Sequence, residues 1–279
     1  MATSLPALYD GQILAYITVA AFALLVYDSC LTMGQEYQYI WRSKNGPIKA
    51  LYVITRYSTF ITSLMALETH FSWGEHSPAT CRALLRFTTV FTGFGIGVTE
   101  VILFIRTYAL CGRPKKLIVL FVVLWVVIGG LNIWGLVKWS QTLSIDSEPF
   151  TKCNLEDSSN FILVCYGSRL VGETIIAALT ISKYWPIAWP LARSSPLVAT
   201  FYQDGILWYL AMVSVLVINV VLQSVARPSL KFLAEAPMRV LHAVLACRLV
   251  LHVRVTADEE PTVQSWPWHE SESSRSTCI

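Results

Sequence analysis

Residues Leu117–Val137 read LIVLFVVLWVVIGGLNIWGLV, 21 positions without a formal charge. A helix rises about 1.5 Å per residue, so about 20 such positions cross the ~30 Å hydrocarbon core of a bilayer. Ile206–Val225, ILWYLAMVSVLVINVVLQSV, is a second run of the same kind. Soluble proteins with one large core do not repeat such runs. Composition agrees: of 279 residues 54% are hydrophobic and 14% charged, with a mean hydropathy of +0.53, where about a quarter charged is usual in soluble domains. The chain reads as all-α, a polytopic membrane helix bundle.

Working outward from Leu117–Val137, the apolar pattern predicts seven spans: Ile13–Met33, Leu51–Phe71, Leu84–Cys111, Leu117–Val137, Phe161–Ile181, Gly205–Val225 and Phe232–Val253. The domain division is a short extracellular N-terminus over 1–12, a transmembrane domain over 13–253 and a disordered cytosolic tail over 254–279. No basic stretch precedes the first run, so Met1–Gln12 does not read as a cleaved signal peptide. Lysine and arginine set the orientation. Arg42, Lys44 and Lys49 lie in the first loop, Arg113, Lys115 and Lys116 in the third, and Lys183 and Arg193 in the fifth, while acids offset the bases of the opposite loops. That places the N-terminus outside and the C-terminus in the cytosol. The expected location is the plasma membrane or another membrane of the secretory pathway, with the lipid bilayer as first partner and nucleic acid excluded.

Small residues allow helices to approach in lipid; Gly93 and Gly97 form a GxxxG pair in span three, and Gly129–Gly130 offers the same in span four. Pro186 and Pro190 are expected to end span five.

Charge within a span is costly and needs a reason. Asp28, Arg56, Arg106 and Arg248 all fall roughly 7–9 Å inside the cytosolic boundary at ~1.5 Å per residue. Asp28 and Arg56 come from adjacent antiparallel helices, so Asp28 is expected to pair with Arg56 or a third-helix arginine and fix helix register; the alternative is a switch or ligand role. A second set lies near the midplane: Glu100, Glu173, His242 and Arg169. Arg169 stands at i,i+4 from Glu173, so the two are able to neutralise each other on one helix face. Glu100 and His242 have no such local partner. Acids and a histidine at mid-depth suit a polar cavity, a proton relay or a cation site; they equally suit a hydrogen-bonded cluster tying helices together.

Seven cysteines occur without a CxxC pair. Cys81 and Cys153 both face the outer, oxidising side and are expected to form a disulfide. Glu68, His70, Glu75 and His76 match no standard ligand spacing, so no metal site is expected. H-E-x-x-H, G-x-S-x-G and Walker A motifs are lacking, which leaves no catalytic residue to name. The last span contains no lysine for a retinal Schiff base, and no cofactor is expected.

The pattern Tyr27-Asp28-x-x-Leu31-Thr32, Glu36, Trp41 and Arg56-Tyr57 resembles the N-terminal signature of the fungal domain of unknown function 6533 family. Arg106-Thr107-Tyr108-Ala109-Leu110, Gly112-Arg113, Asp204-Gly205-Ile206 and Leu241–His252 extend the resemblance over roughly Ala15–Arg254. It implies a multi-pass membrane protein of about seven helices and carries no substrate, activity or cofactor. Two functions stay open. A receptor-like signalling protein, with an unknown small ligand or cytosolic protein partner, is favoured by seven helices, an outer N-terminus and basic inner loops. A proton- or cation-coupled transporter or channel for a small polar solute is favoured by the midplane acids and His242.

Overall fold

A computed structural model of the chain describes residues 4–71, 78–111, 114–142, 161–191, 196–227 and 230–259. These form seven α-helices: α1 Ser4–Glu36, α2 Pro47–Phe71, α3 Pro78–Leu110, α4 Lys115–Thr142, α5 Phe161–Leu191, α6 Pro196–Val225 and α7 Glu235–Glu259. A π-helical turn, Tyr37–Trp41, follows α1 directly. Six helices are long and apolar enough to cross a membrane, and α6 adds a shorter apolar stretch, Tyr209–Val225. The chain is an integral membrane protein built as an all-α bundle.

Helix starts follow simple backbone chemistry. Proline lacks the N–H that a first turn leaves unpaired, and its fixed φ already suits a helix. Pro47, Pro78 and Pro196 accordingly open α2, α3 and α6. Interior prolines behave differently from expectation. Pro186 and Pro190 do not end the fifth helix, which runs on to Leu191. Helix-breaking residues are tolerated in membrane helices, where the freed backbone groups find other partners, so a helix survives the loss of one or two N–H donors. Likewise α7 continues past Val253 to Glu259, so the first residues of the expected tail are helical; residues from 260 onward lie outside the described part.

The helices pack in chain order as a ring, α1 closing against α7, with α3 and α7 drawn to the middle: α3 touches α2, α4, α5 and α7, and α7 touches α1, α2, α3 and α6. Among the six candidate spans α7 is the most buried and α4 the least. Val119, Val122, Val126 and Ile133 of α4 are exposed, a face suited to lipid. The apolar core has four clusters among the described residues, and two of them form tiers along α3, α5 and α7. One holds Leu103, Phe104, Leu117, Phe121, Ile176 and Met212, with the Phe104 and Phe121 rings stacked at 4.8 Å. The other holds Ile96, Trp139, Ile162, Tyr166, Leu216 and Met238. Glu100, Glu173 and His242 fall between these tiers along their helices, so the polar layer is capped by apolar packing on both sides.

Glycine packing departs from the GxxxG expectation. A methyl group at Gly97, Gly129 or Gly130 would meet nothing within 4 Å, and one at Gly93 only Arg169 Nη2 at 4.0 Å. Closer approaches occur at Gly95, where a Cβ would lie 2.9 Å from Ser58 Oγ of α2, and between α4 and α5. A Cβ at Gly135 would lie 2.6 Å from Cys165 Sγ and 3.1 Å from the Phe161 carbonyl, and one at Gly172 would run into Ile128 Cδ1. Both glycines serve the α4–α5 contact.

Candidate functional site

Two separate polar constructions lie inside the bundle. The first joins α1, α2 and α7 near the end that carries the basic first loop. Arg56 is its centre and is 3% exposed. Its guanidinium lies 3.5 Å from Asp28 and 3.3 Å from Glu36, and it donates to the Thr32 hydroxyl at 2.7 Å. Arg248 of α7 reaches the other Asp28 oxygen at 2.5 Å. Two acids and two arginines therefore close a neutral set, the condition under which buried charge is tolerated. Glu36 is held further by Trp41 Nε1 at 3.3 Å and by the Tyr57 hydroxyl at 3.4 Å. The π-turn sits beside this network. Arg254 donates to the Tyr39 carbonyl and, at 2.8 Å, to Ser43 Oγ, while Lys49 donates to the Trp41 and Ser43 carbonyls at 3.2 Å. Cations thus cover the carbonyls left over at the end of the helix.

Of the two expected partners for Asp28, Arg56 and a third-helix arginine, it is Arg56 that takes the place, and Arg106 does not join this set. It lies on the other side of α3, with its guanidinium 5.7 Å from the Tyr209 ring centre. Beside it the Thr107 hydroxyl meets Thr180 at 3.0 Å and Tyr209 at 3.1 Å. Depth counting gives height along the bundle, not direction around it.

The second construction is the midplane layer. Glu100, Arg169, Glu173 and His242 are all buried, at 7%, 8%, 4% and 2% exposure. His242 Nδ1 of α7 lies 3.6 Å from Glu173 Oε1 of α5. Arg169 makes no ion pair with Glu173 among the described residues, although the i,i+4 spacing suggests one; its Nε donates to Asn132 Oδ1 of α4 at 2.8 Å. Neither Glu173 oxygen and neither His242 nitrogen makes a hydrogen bond among the described residues. One turn before His242, Arg239 is 5% exposed and lies 3.9 Å from Glu235. A small cavity of about 10 Å³ adjoins His242 and Arg239, walled by hydroxyl-bearing residues of α2 and α3.

Several of these participants escaped the sequence reading. Glu36 stands eight residues after Asp28, two turns along one helix face, a spacing that could have joined it to the pair. Arg239 stands inside the predicted seventh span four residues after Glu235, an i,i+4 spacing that could have joined the two. Asn132 carries no charge and stands within an otherwise apolar run, so spacing alone does not mark it. Cys81 is disulfide-bonded; Cys153, its expected partner, lies outside the described residues. Groups of three or more metal-binding side chains are lacking among the described residues; His76 and Glu75 lie outside them.

Fold and interior charge define a class: an integral membrane helix bundle with a neutral ion network near one end and an unsaturated acid–imidazole layer at its middle. Residues 16–61 match a family model described as "Family of unknown function (DUF6533)". The match covers most of α1, the π-turn and the first part of α2, so it includes Asp28, Glu36 and Arg56. It stops short of Arg248 and of the midplane layer, and the later motifs of the resemblance fall outside it. No curated protein matches the chain.

Proposed function

We propose that this membrane protein takes up and releases a proton at the Glu173–His242 pair, and that it works as a proton-coupled transporter or channel. The 3.6 Å contact between two buried titratable groups on different helices carries this reading. Glu100 and Glu173 against Arg169 leave the layer with one net negative charge while His242 is neutral, and one added proton brings it to zero. Burying net charge in hydrocarbon costs at least several kcal/mol by the same scales that penalise a lone charge at mid-membrane, so the proton count at this layer changes the energy of packing α5 against α7. The adjoining cavity of about 10 Å³ is the size of one water molecule; a small polar solute would need a wider conformation.

The test uses the full chain in proteoliposomes loaded with a pH-sensitive dye. An inward proton gradient should acidify the lumen, and Glu173→Gln and His242→Gln should each abolish the response. Equal acidification by wild type and both variants would overturn the reading. A second reading, receptor-like signalling, is favoured by the disulfide at Cys81 near the start of α3 and by the basic inner loops. It expects a cytosolic partner whose binding follows an outer ligand, with no proton flux.

A further inference from the structure

The cavity beside His242 has a particular donor and acceptor pattern. Ser58 and Thr62 of α2 and Thr92 and Thr99 of α3 line it, together with Arg239 and His242 of α7. Each of the four hydroxyl groups gives its proton to its own helix. Ser58 donates to the Thr55 carbonyl at 3.2 Å, Thr62 to Ser58 at 2.9 Å, Thr92 to Thr88 at 2.7 Å and Thr99 to Gly95 at 3.0 Å. What they have left for the cavity is lone pairs. Arg239 brings the opposite character: its Nε and Nη1 are buried N–H groups without a hydrogen bond among the described residues. His242 brings one acceptor and one donor when neutral, and neither of its nitrogens is hydrogen-bonded.

A cation there would meet the Arg239 guanidinium, and an anion would meet a wall of hydroxyl lone pairs. A water molecule fits both. It accepts from Arg239 and donates to a threonine oxygen and to imidazole, giving it the two to four polar partners that a buried water has. The volume agrees, since about 10 Å³ of accessible space is what one water needs. It also gives the buried Arg239 donors and the His242 acceptor the partner whose absence is costly.

We propose that this cavity is a binding site for one ordered water molecule, held by Arg239 and the α2–α3 hydroxyl groups, which hands a proton to His242 for the Glu173 pair. The inference rests on the proton reading above and supplies its entry step. Nδ1 of His242 faces Glu173, so Nε2 is the nitrogen left for the water. As an O–H proton moves to Nε2, the Nδ1 proton moves to a Glu173 oxygen. The water regains its proton from solvent; no electrons change hands and no heavy-atom bond breaks. Glu100 and Arg169 on the Glu173 side, and Glu235 and Arg239 on the cavity side, are the charged groups around this path.

The test is solid-state NMR of the full chain with ¹⁵N-labelled histidine in lipid bilayers, the His242 signals being assigned by their loss in His242→Gln. Magnetisation should pass from water to a His242 ring nitrogen, and it should build up about tenfold more slowly in Thr62→Val/Thr99→Val, which keeps side-chain shape while removing two acceptors. No transfer in the wild type, or the same rate in the double variant, would overturn the water site. If the double variant does not fold, the wild-type measurement still decides, because a dry cavity gives no transfer. Loss of proton uptake in Glu173→Gln together with a dry His242 would sink the water step and leave the proton reading standing. Water transfer to His242 without any Glu173-dependent uptake would do the reverse.

Discussion

Arg56 shows how one side chain decides the chemistry of a whole helix junction. Its planar fork meets Asp28, Glu36 and Thr32 at once, a geometry that the single ammonium of lysine does not reproduce. Removing one partner of a buried pair costs about 3–5 kcal/mol, so Asp28→Ala should lower thermal stability in detergent by that order. Arg248→Ala should also lower stability, because it strips the 2.5 Å partner from a buried Asp28 and leaves the set with one net negative charge. Charge exchange should fail as a rescue. Asp28→Arg combined with Arg56→Asp sets an arginine against Arg248 and an aspartate against Glu36, so the double variant should melt no higher than either single one. Melting at the wild-type temperature would show that the two residues form an isolated pair. The Asp28–Arg56 contact was legible because both charges interrupt apolar runs at one height. The Glu36 and Arg248 arms were not, since spacing gives height, and the angle around each helix comes from packing.

Helix positions follow directly from apolar run length, and each predicted span overlaps one observed helix. Ends were harder to read. Pro186, Pro190 and Arg254 look like stops in sequence, yet helix continues through all three, because membrane helices tolerate such residues where the freed backbone groups find other partners. Glycines show the same limit. Gly93/Gly97 and Gly129–Gly130 look like packing motifs, but the α4–α5 contact uses Gly135 and Gly172, and only the neighbouring helix reveals which face is pressed. Gly135→Ala should therefore destabilise the chain by about 1–3 kcal/mol, the usual cost of overpacking. Its new methyl meets the Phe161 backbone oxygen as well as a sulfur that can rotate away. Gly129→Ala should stay within about 0.5 kcal/mol of wild type. Detergent melting curves of the two variants compare them directly, and equal losses would contradict the packing.

At the scale of the molecule, basic loops and interior acids separate the two ends from the middle. The orientation read from lysine and arginine has a simple check. In a background with exposed Cys30 replaced by serine, a cysteine at Lys44 should react with a membrane-impermeant maleimide only after permeabilisation, and one at Arg227 should react in intact cells. The opposite pattern would invert the bundle. Sequence placed Glu100, Glu173 and His242 in one layer because each falls near the centre of a span. It could not show that α5 and α7, which are not neighbours in chain order, bring Glu173 and His242 within 3.6 Å, nor that Arg169 gives its Nε–H to Asn132. Those facts depend on how the ring of helices closes.

The π-turn at Tyr37–Trp41 has a consequence for chain length. Its bonds run from residue i to i+5, so Trp41 stands above Glu36 and can donate to it at 3.3 Å. In a regular α-helix the fifth residue on is rotated about 140° away. Deleting any one residue of the turn would restore regular winding and swing the indole off the carboxylate. It would also move the Tyr39 carbonyl from Arg254 and the Trp41 carbonyl from Lys49. That stretch should therefore accept changes of residue more readily than changes of length, and an insertion or deletion there would be felt across α1, α2 and α7 together.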